Sequence, residues 1–116
     1  MDLTLRTEVV DGVPVVGVHG EVDLATVPRL RDGLHRALSD TPGATVIVDL
    51  DGVSVFDDVG LGVLLGARRA ARARGGDVVV VAGTPRLRAL LAETGVDAAL
   101  PPAASVGEAL QKVMPR

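Results

Sequence analysis

Phe56-Asp57-Asp58-Val59-Gly60-Leu61-Gly62 sets two neighbouring carboxylates ahead of a Gly-X-Gly and an apolar run. Paired carboxylates serve as acid and base in hydrolysis, and with Asp49 and Asp51 they could offer oxygens to a hard cation. Glycines at a helix mouth cradle phosphates, and acids there cap helices. Each use makes further demands. Neighbouring side chains in a tight turn usually point apart, and no second catalytic group is identifiable from elsewhere in the chain. Ser39, Ser54 and Ser105 have no evident His partner. Gly60-Leu61-Gly62 lacks the third glycine of a dinucleotide loop, no Gly-Lys-Ser/Thr follows, and two acids would repel a phosphate. A phospho-accepting aspartate needs an acidic pair after the first strand and a nearby lysine. That pair is missing, and Lys112, the only lysine, falls near the end of the chain. No catalytic residue, metal site or cofactor is therefore assigned. A helix start explains one carboxylate as an N-cap but does not require two.

The elements that must position this stretch read as β β α β α β α (β) α. Leu3, Leu5, Thr7 and Val9 alternate with polar residues, as in a half-buried strand. Asp11-Gly12 then predicts a hairpin into Val13 to Val18. After Gly20-Glu21-Val22-Asp23, either Asp23 or Thr26 can cap a helix whose first turn tolerates Pro28. Its apolar stripe is Val27, Leu30, Leu34, Ala37 and Leu38, and Thr41-Pro42-Gly43 stops it. Ala44 to Leu50 reads as a buried strand, Asp51 to Asp58 as a loop, and Leu61 to Arg74 as a helix ended by Gly75-Gly76. Asp77 to Gly83 is the next buried strand. Thr84 caps a helix with Leu87, Leu90, Leu91 and Thr94 on one face, and Gly95 ends it. A weak strand is expected near Ala98 to Leu100. Ser105 and Glu108 form a capping box for a last helix carrying Val106, Ala109, Leu110 and Val113. Strands alternating with helices make parallel pairs joined by right-handed crossovers. Function gathers where strand C-termini meet helix N-termini, which is where Phe56 to Gly60 lies.

Composition narrows the classes. With 116 residues the chain fits one domain, 1–116, and its 47% hydrophobic content supplies an aliphatic core, since Phe56 is the lone aromatic. There is no cysteine, and His19 and His35 fall in different predicted elements, so thiolate and His-rich metal centres are excluded. A net charge of −3 and the lack of stacking aromatics argue against nucleic acid. The run Arg68, Arg69, Arg72 and Arg74 reads as a solvated helix face. Apolar runs are far shorter than the roughly 20 residues a bilayer span needs. No basic segment followed by an apolar one opens the chain, so a cytoplasmic protein with no membrane contact is expected.

"HGEVDLATVPRLRDGL", "VIVDLDGVSVFDDVGLGVLLGARRAARARGGDVVVVAG" and "PRLRALLAETGVDAAL" together resemble a STAS domain, and more narrowly a bacterial anti-sigma factor antagonist. The likeness runs from the opening hairpin to the last helix. It implies an α/β, STAS-like fold. An opening hairpin leads into alternating β/α units, giving a mixed, mostly parallel sheet of four to five strands packed by about four helices. It also implies a partner switch. Such a protein binds an anti-sigma factor that is also a serine kinase and so regulates sigma-factor-dependent transcription. Phosphorylation of a serine at the start of the helix after the third strand releases it. The family pattern there is Asp-Ser-Ser/Thr-Gly. Asp57 matches its Asp and Gly60 its Gly, but Asp58 stands at the acceptor serine and Val59 at the second hydroxyl. Ser54 lies four residues too early and reads as a strand-end hydroxyl.

Phosphoserine carries about −1.5 to −2 charges, so a fixed carboxylate is a partial mimic of the phosphorylated form. Three outcomes are open: a constitutive binder that phosphorylation cannot switch, which is favoured; a chain locked in a weak-binding state; or a STAS subunit of another signalling or transport assembly. A small-ligand or nucleotide-binding module is a further alternative, and enzyme activity is not expected. Partner contacts are expected from Asp23, Asp57, Asp58, Val59, Gly60 and Leu61, with the rest of the Asp23 to Thr26 turn and the exposed positions of the Leu61 to Arg74 helix around them. Gly60 and Gly62 either leave the helix start bare for another backbone or only allow close internal packing. A monomer or weak homodimer is expected.

Overall fold

The computed structural model describes residues 2–113. Two strands open the chain, β1 (Leu3–Val10) and β2 (Val13–Val22). Asp11 (φ 52°) and Gly12 (φ 80°) both take positive φ between them, as a two-residue hairpin turn of right-handed twist requires. Helix α1 (Val27–Asp40), strand β3 (Thr45–Phe56), helix α2 (Val59–Ala73) and strand β4 (Asp77–Val81) follow. Three helices close the chain: α3 (Pro85–Thr94), the one-turn α4 (Val96–Ala99) and α5 (Val106–Val113). The sheet order is β1-β2-β3-β4, antiparallel between the first pair and parallel across the other two.

The first halves of the inner strands are rich in Val, Ile and Leu because both of their faces are covered. Val16, Val18, Val46, Val48 and Leu50 pack with Leu30 and Leu34 of α1, Leu64 of α2 and Leu91 of α3. Val13, Val15, Ile47 and Val81 face the other way, against Ala103 and against Ala109 and Leu110 of α5. On β1 only the first half of the alternating face is covered. Leu3 is buried, while Val9, out at the hairpin end, is 66% exposed.

Several boundaries differ from the sequence expectation, and the strand expected over Asp77 to Gly83 already ends at Val81. First, β2 runs on to Val22, and the expected loop from Asp51 is strand as far as Phe56. Asp51-Gly52 resembles a turn, but Gly52 has another use. A Cβ there would stand 2.3 Å from Cδ2 of His19, whose ring lies across the strand. Glycine inside a strand marks such a close approach, and register shifts at Gly17/His19 and Gly20/Glu21 absorb the irregularity. Val53 and Phe56 continue the buried face. Second, α2 begins at Val59, two residues before Leu61. Third, Ala98 to Leu100 is no strand. Gly95 (φ 83°) ends α3 and directly starts α4, which buries Val96. The pairing near this point is a lone bridge between Val81 and Ala103.

The caps follow side-chain chemistry. Oγ1 of Thr84 accepts from the Leu87 N–H at 3.1 Å, and Oγ of Ser105 accepts from the Glu108 N–H at 3.0 Å. The reciprocal half of the capping box is replaced, since Glu108 reaches instead toward Lys112 at 3.9 Å. The basic run is only partly a solvated face. Arg68 donates to the Ala99 carbonyl at 2.9 Å, and its Nε lies 3.4 Å from Oδ1 of Asp77, buried and outside hydrogen-bond geometry. Arg72 donates to both Asp77 oxygens, at 3.2 and 3.3 Å. Two arginines thus tie α2 to the start of β4 and the end of α4. Among the described residues, no helix is long and apolar enough to cross a membrane.

Candidate protein-interaction surface

The C-terminal ends of β2 and β3 lie side by side, with Val22 paired to Phe56. The Asp57 N–H continues the ladder by donating to the Val22 carbonyl at 2.9 Å. This pairing brings the Asp23 turn and the Asp57-Asp58 turn together, although 34 positions separate Asp23 from Asp57 in the chain.

The two turns use their carboxylates differently. Oδ1 of Asp23 accepts from the N–H groups of Ala25 and Thr26, both at 3.0 Å. Thr26 Oγ1 accepts from the Asp23 N–H at 3.0 Å and donates to the Glu21 carbonyl at 2.7 Å. Thr26 is buried for this purpose. Asp23 and Thr26 therefore share the task that opens α1, and Asp23 is largely committed to it.

Asp57 and Asp58 are not committed. Asp58 stands at the N-cap of α2 with helical backbone angles (φ −61°, ψ −21°), not the extended geometry a capping side chain needs, and its carboxylate makes no capping bond. Backbone carbonyls take the first N–H groups instead: Gly60 N–H donates to Asp57 C=O at 2.9 Å and Leu61 N–H to Asp58 C=O at 3.0 Å. Both side chains are exposed, and neither has a hydrogen-bond or ion-pair partner among the described residues. Neither is an N-cap in the side-chain sense. Both stand at the positive end of the helix dipole.

Val59 and Leu61 are half-buried, with one side to the core and one to solvent. Gly60 is buried, and a Cβ on it would stand 2.6 Å from Cζ of Phe56 and 2.9 Å from Cγ1 of Val22. Its role is packing, and it offers no surface to a partner. Gly62 is exposed with nothing within 4 Å of a Cβ, so the bare stretch of helix begins there. The two glycines divide the two explanations between them.

Two exposed apolar residues flank these turns. Leu24, in the Asp23 turn, is 75% exposed, and Val55 on β3 is 38% exposed. The signal for Leu24 was present, as an isolated large apolar residue inside a short turn. For Val55 it was hidden by reading the segment as a loop. Leu24 thus lies in the turn that the Val22–Phe56 pairing sets beside Asp57 and Asp58, while Val55 alternates with the buried Phe56 along β3.

The nearby hydroxyl and acids are held by backbone groups. Oγ of Ser54 donates to the Gly20 carbonyl at 3.3 Å, as a strand hydroxyl does, and its own carbonyl accepts from Arg86 at 3.0 Å. Asp51 accepts from the Gly83 N–H at 2.6 Å, and Asp49 accepts from the Asp51 N–H at 3.0 Å. Asp51 thus holds the loop after β4, and the Asp49 bond stays within β3. Among the described residues, no three His, Asp or Glu side chains are grouped to hold a metal ion.

The family model described as the STAS domain matches residues 4–109. The chain is 30% identical over 96 residues to the anti-sigma-B factor antagonist of Staphylococcus aureus, covering 83% of this chain and 88% of that protein. The chain belongs to the STAS family, with the anti-sigma factor antagonists. The corresponding antagonist of Listeria monocytogenes is 34% identical over 79 residues, 68% of each chain. A crystal structure of an anti-sigma factor antagonist from Mycobacterium paratuberculosis superposes with a TM-score of 0.82 at 33% identity, covering 97% of this chain and 94% of that one. In this STAS domain, the acidic patch occupies the sheet end where the parallel topology leaves loops and helix starts open.

Proposed function

We propose that this STAS domain is an anti-sigma factor antagonist, a binding module and not an enzyme, whose partner is an anti-sigma factor of the serine-kinase-like ATPase class. In this reading Asp57, Asp58 and the exposed part of Leu61 form the centre of contact, with Leu24 beside them. One observation carries it: Asp57 and Asp58 are exposed at the start of α2 and neither is used to hold the fold. Charges the protein does not need internally are free to be read by a partner.

By the family pattern, Asp58 occupies the place of the acceptor serine. An aspartate has no hydroxyl to phosphorylate, so binding is not switched at this position. The fixed charge is tolerated because the partner meets it with a cation, for which a bidentate arginine suits a carboxylate best. The domain is then a constitutive antagonist that holds its partner whether or not ATP is present. The experiment is a pull-down with anti-sigma factors of this class, using the wild type and Asp58→Ser. Capture by the wild type supports the reading, and failure of both forms to bind any of them defeats it.

A further inference from the structure

The outward face of α2 is ordered end to end. Asp58, Gly62, Leu65 and Arg69 follow at steps of four, three and four residues and so lie on one stripe, opposite the buried Val63, Leu64 and Ala67. An acid stands at one end, a guanidinium at the other, and leucine and glycine between. Leu61 and Leu65 are only partly covered by the core. A Cβ on Gly62 or Gly66 would meet nothing within 4 Å. Arg68 and Arg72 are tied to Asp77, but Arg69 has no ion pair or hydrogen bond among the described residues, and neither does Asp58.

We propose that a second copy of this chain occupies this face, pairing α2 with α2 antiparallel about a two-fold axis. The charges decide the direction. A parallel pair would set Asp58 on Asp58 and Arg69 on Arg69, whereas an antiparallel pair sets each acid on the other copy's arginine. The apolar positions support the same register. With the axis between Val63 and Leu64, Asp58 meets Arg69 of the second copy, Gly62 meets its Leu65, and Gly66 meets its Leu61. Each leucine enters the space left by a glycine. Shifting the register to set Asp58 on Arg72 would place Leu65 on Leu65 and spend a guanidinium already held by Asp77.

One helix face buries less than the roughly 800 Å² per partner of a standard stable interface, so the pair is weak and depends on concentration and salt. Pairing covers Asp58. If the proposed function holds, on which this consequence rests, self-association and partner binding exclude one another.

Sedimentation velocity over a wide concentration range tests the pair. At low salt the wild-type weight-average mass rises from that of one chain toward that of two. Asp58→Arg, Arg69→Asp and Gly62→Leu each hold it at one chain, with circular dichroism and melting reporting that the fold is kept. Asp58→Arg combined with Arg69→Asp restores the rise. The proposal is overturned if the wild type stays at one chain up to its solubility limit, which would leave the face to a different protein. It is equally overturned if association survives both Asp58→Arg and Gly62→Leu, which would place the contact elsewhere. Gly62→Leu and Arg69→Asp are also assayed against anti-sigma factors. Loss of pairing with partner binding retained keeps the two readings apart.

Discussion

Gly60 and Gly62 show how much a single Cβ decides. On Gly60 it would collide with Phe56 and Val22, both buried. Gly60→Ala is therefore expected to destabilise the fold by about 1–3 kcal/mol, the usual range for overpacking. Gly62→Ala adds its methyl to open space on a helix and is expected to be neutral or to stabilise by up to about 1 kcal/mol. Urea denaturation of the two variants checks both signs. In the sequence the two glycines looked alike. Telling them apart requires knowing which way the helix faces, and an aliphatic stripe gives that only once the first helical residue is known. The start of α2 was placed two residues late, so the direction of Gly60 was not legible.

The caps and strand ends make predictions one level up. Asp23 holds the entry to α1 by accepting two backbone N–H groups. Asp23→Ala is expected to cost about 0.5–2 kcal/mol, read as a lower midpoint of denaturation. The Asp57 amide donates to Val22, so its hydrogen exchange should be slow, whereas a loop amide would exchange quickly. Hairpin, helices and inner strands were legible because Asp11-Gly12, the aliphatic stripes and the Val runs each have one physical meaning. The extension of β3 was not, because Asp51-Gly52 carries a turn composition but serves the His19 contact. The one-turn α4 has too few residues to show a helical period.

For the whole molecule, the sheet gathers acids at one end, while the interactions that pin α2 lie at the other end of that helix. There, partial burial works to raise the pKa of Asp77, but the Arg72 hydrogen bond, the Val78 N–H and the charges of Arg72 and Arg68 outweigh it and hold the carboxyl below its ordinary value. A carboxylate with a depressed folded-state pKa adds stability above the unfolded value, about 3.9, and loses it as pH falls through the folded value. Wild type should therefore lose stability more steeply than Asp77→Asn below about pH 4, as followed by thermal melts across pH. The effect should be small, because the ion pair is largely solvated. The patch itself was legible as a motif, since Asp57 and Asp58 are contiguous. Val59 and Leu61 are legible within the same motif. Leu24 joins it only through the pairing of Val22 with Phe56, a contact between distant parts of the chain. The central claim is that this surface binds an anti-sigma factor and that Asp58 makes the binding unswitchable. Its most direct test is to incubate the kinase-type partner that captures this domain with labelled ATP and either wild type or Asp58→Ser, then measure label on the domain and the fraction still bound. The account predicts that wild type stays unlabelled and bound, while Asp58→Ser is labelled and released. Label entering the wild type, or its release on adding ATP, would contradict it.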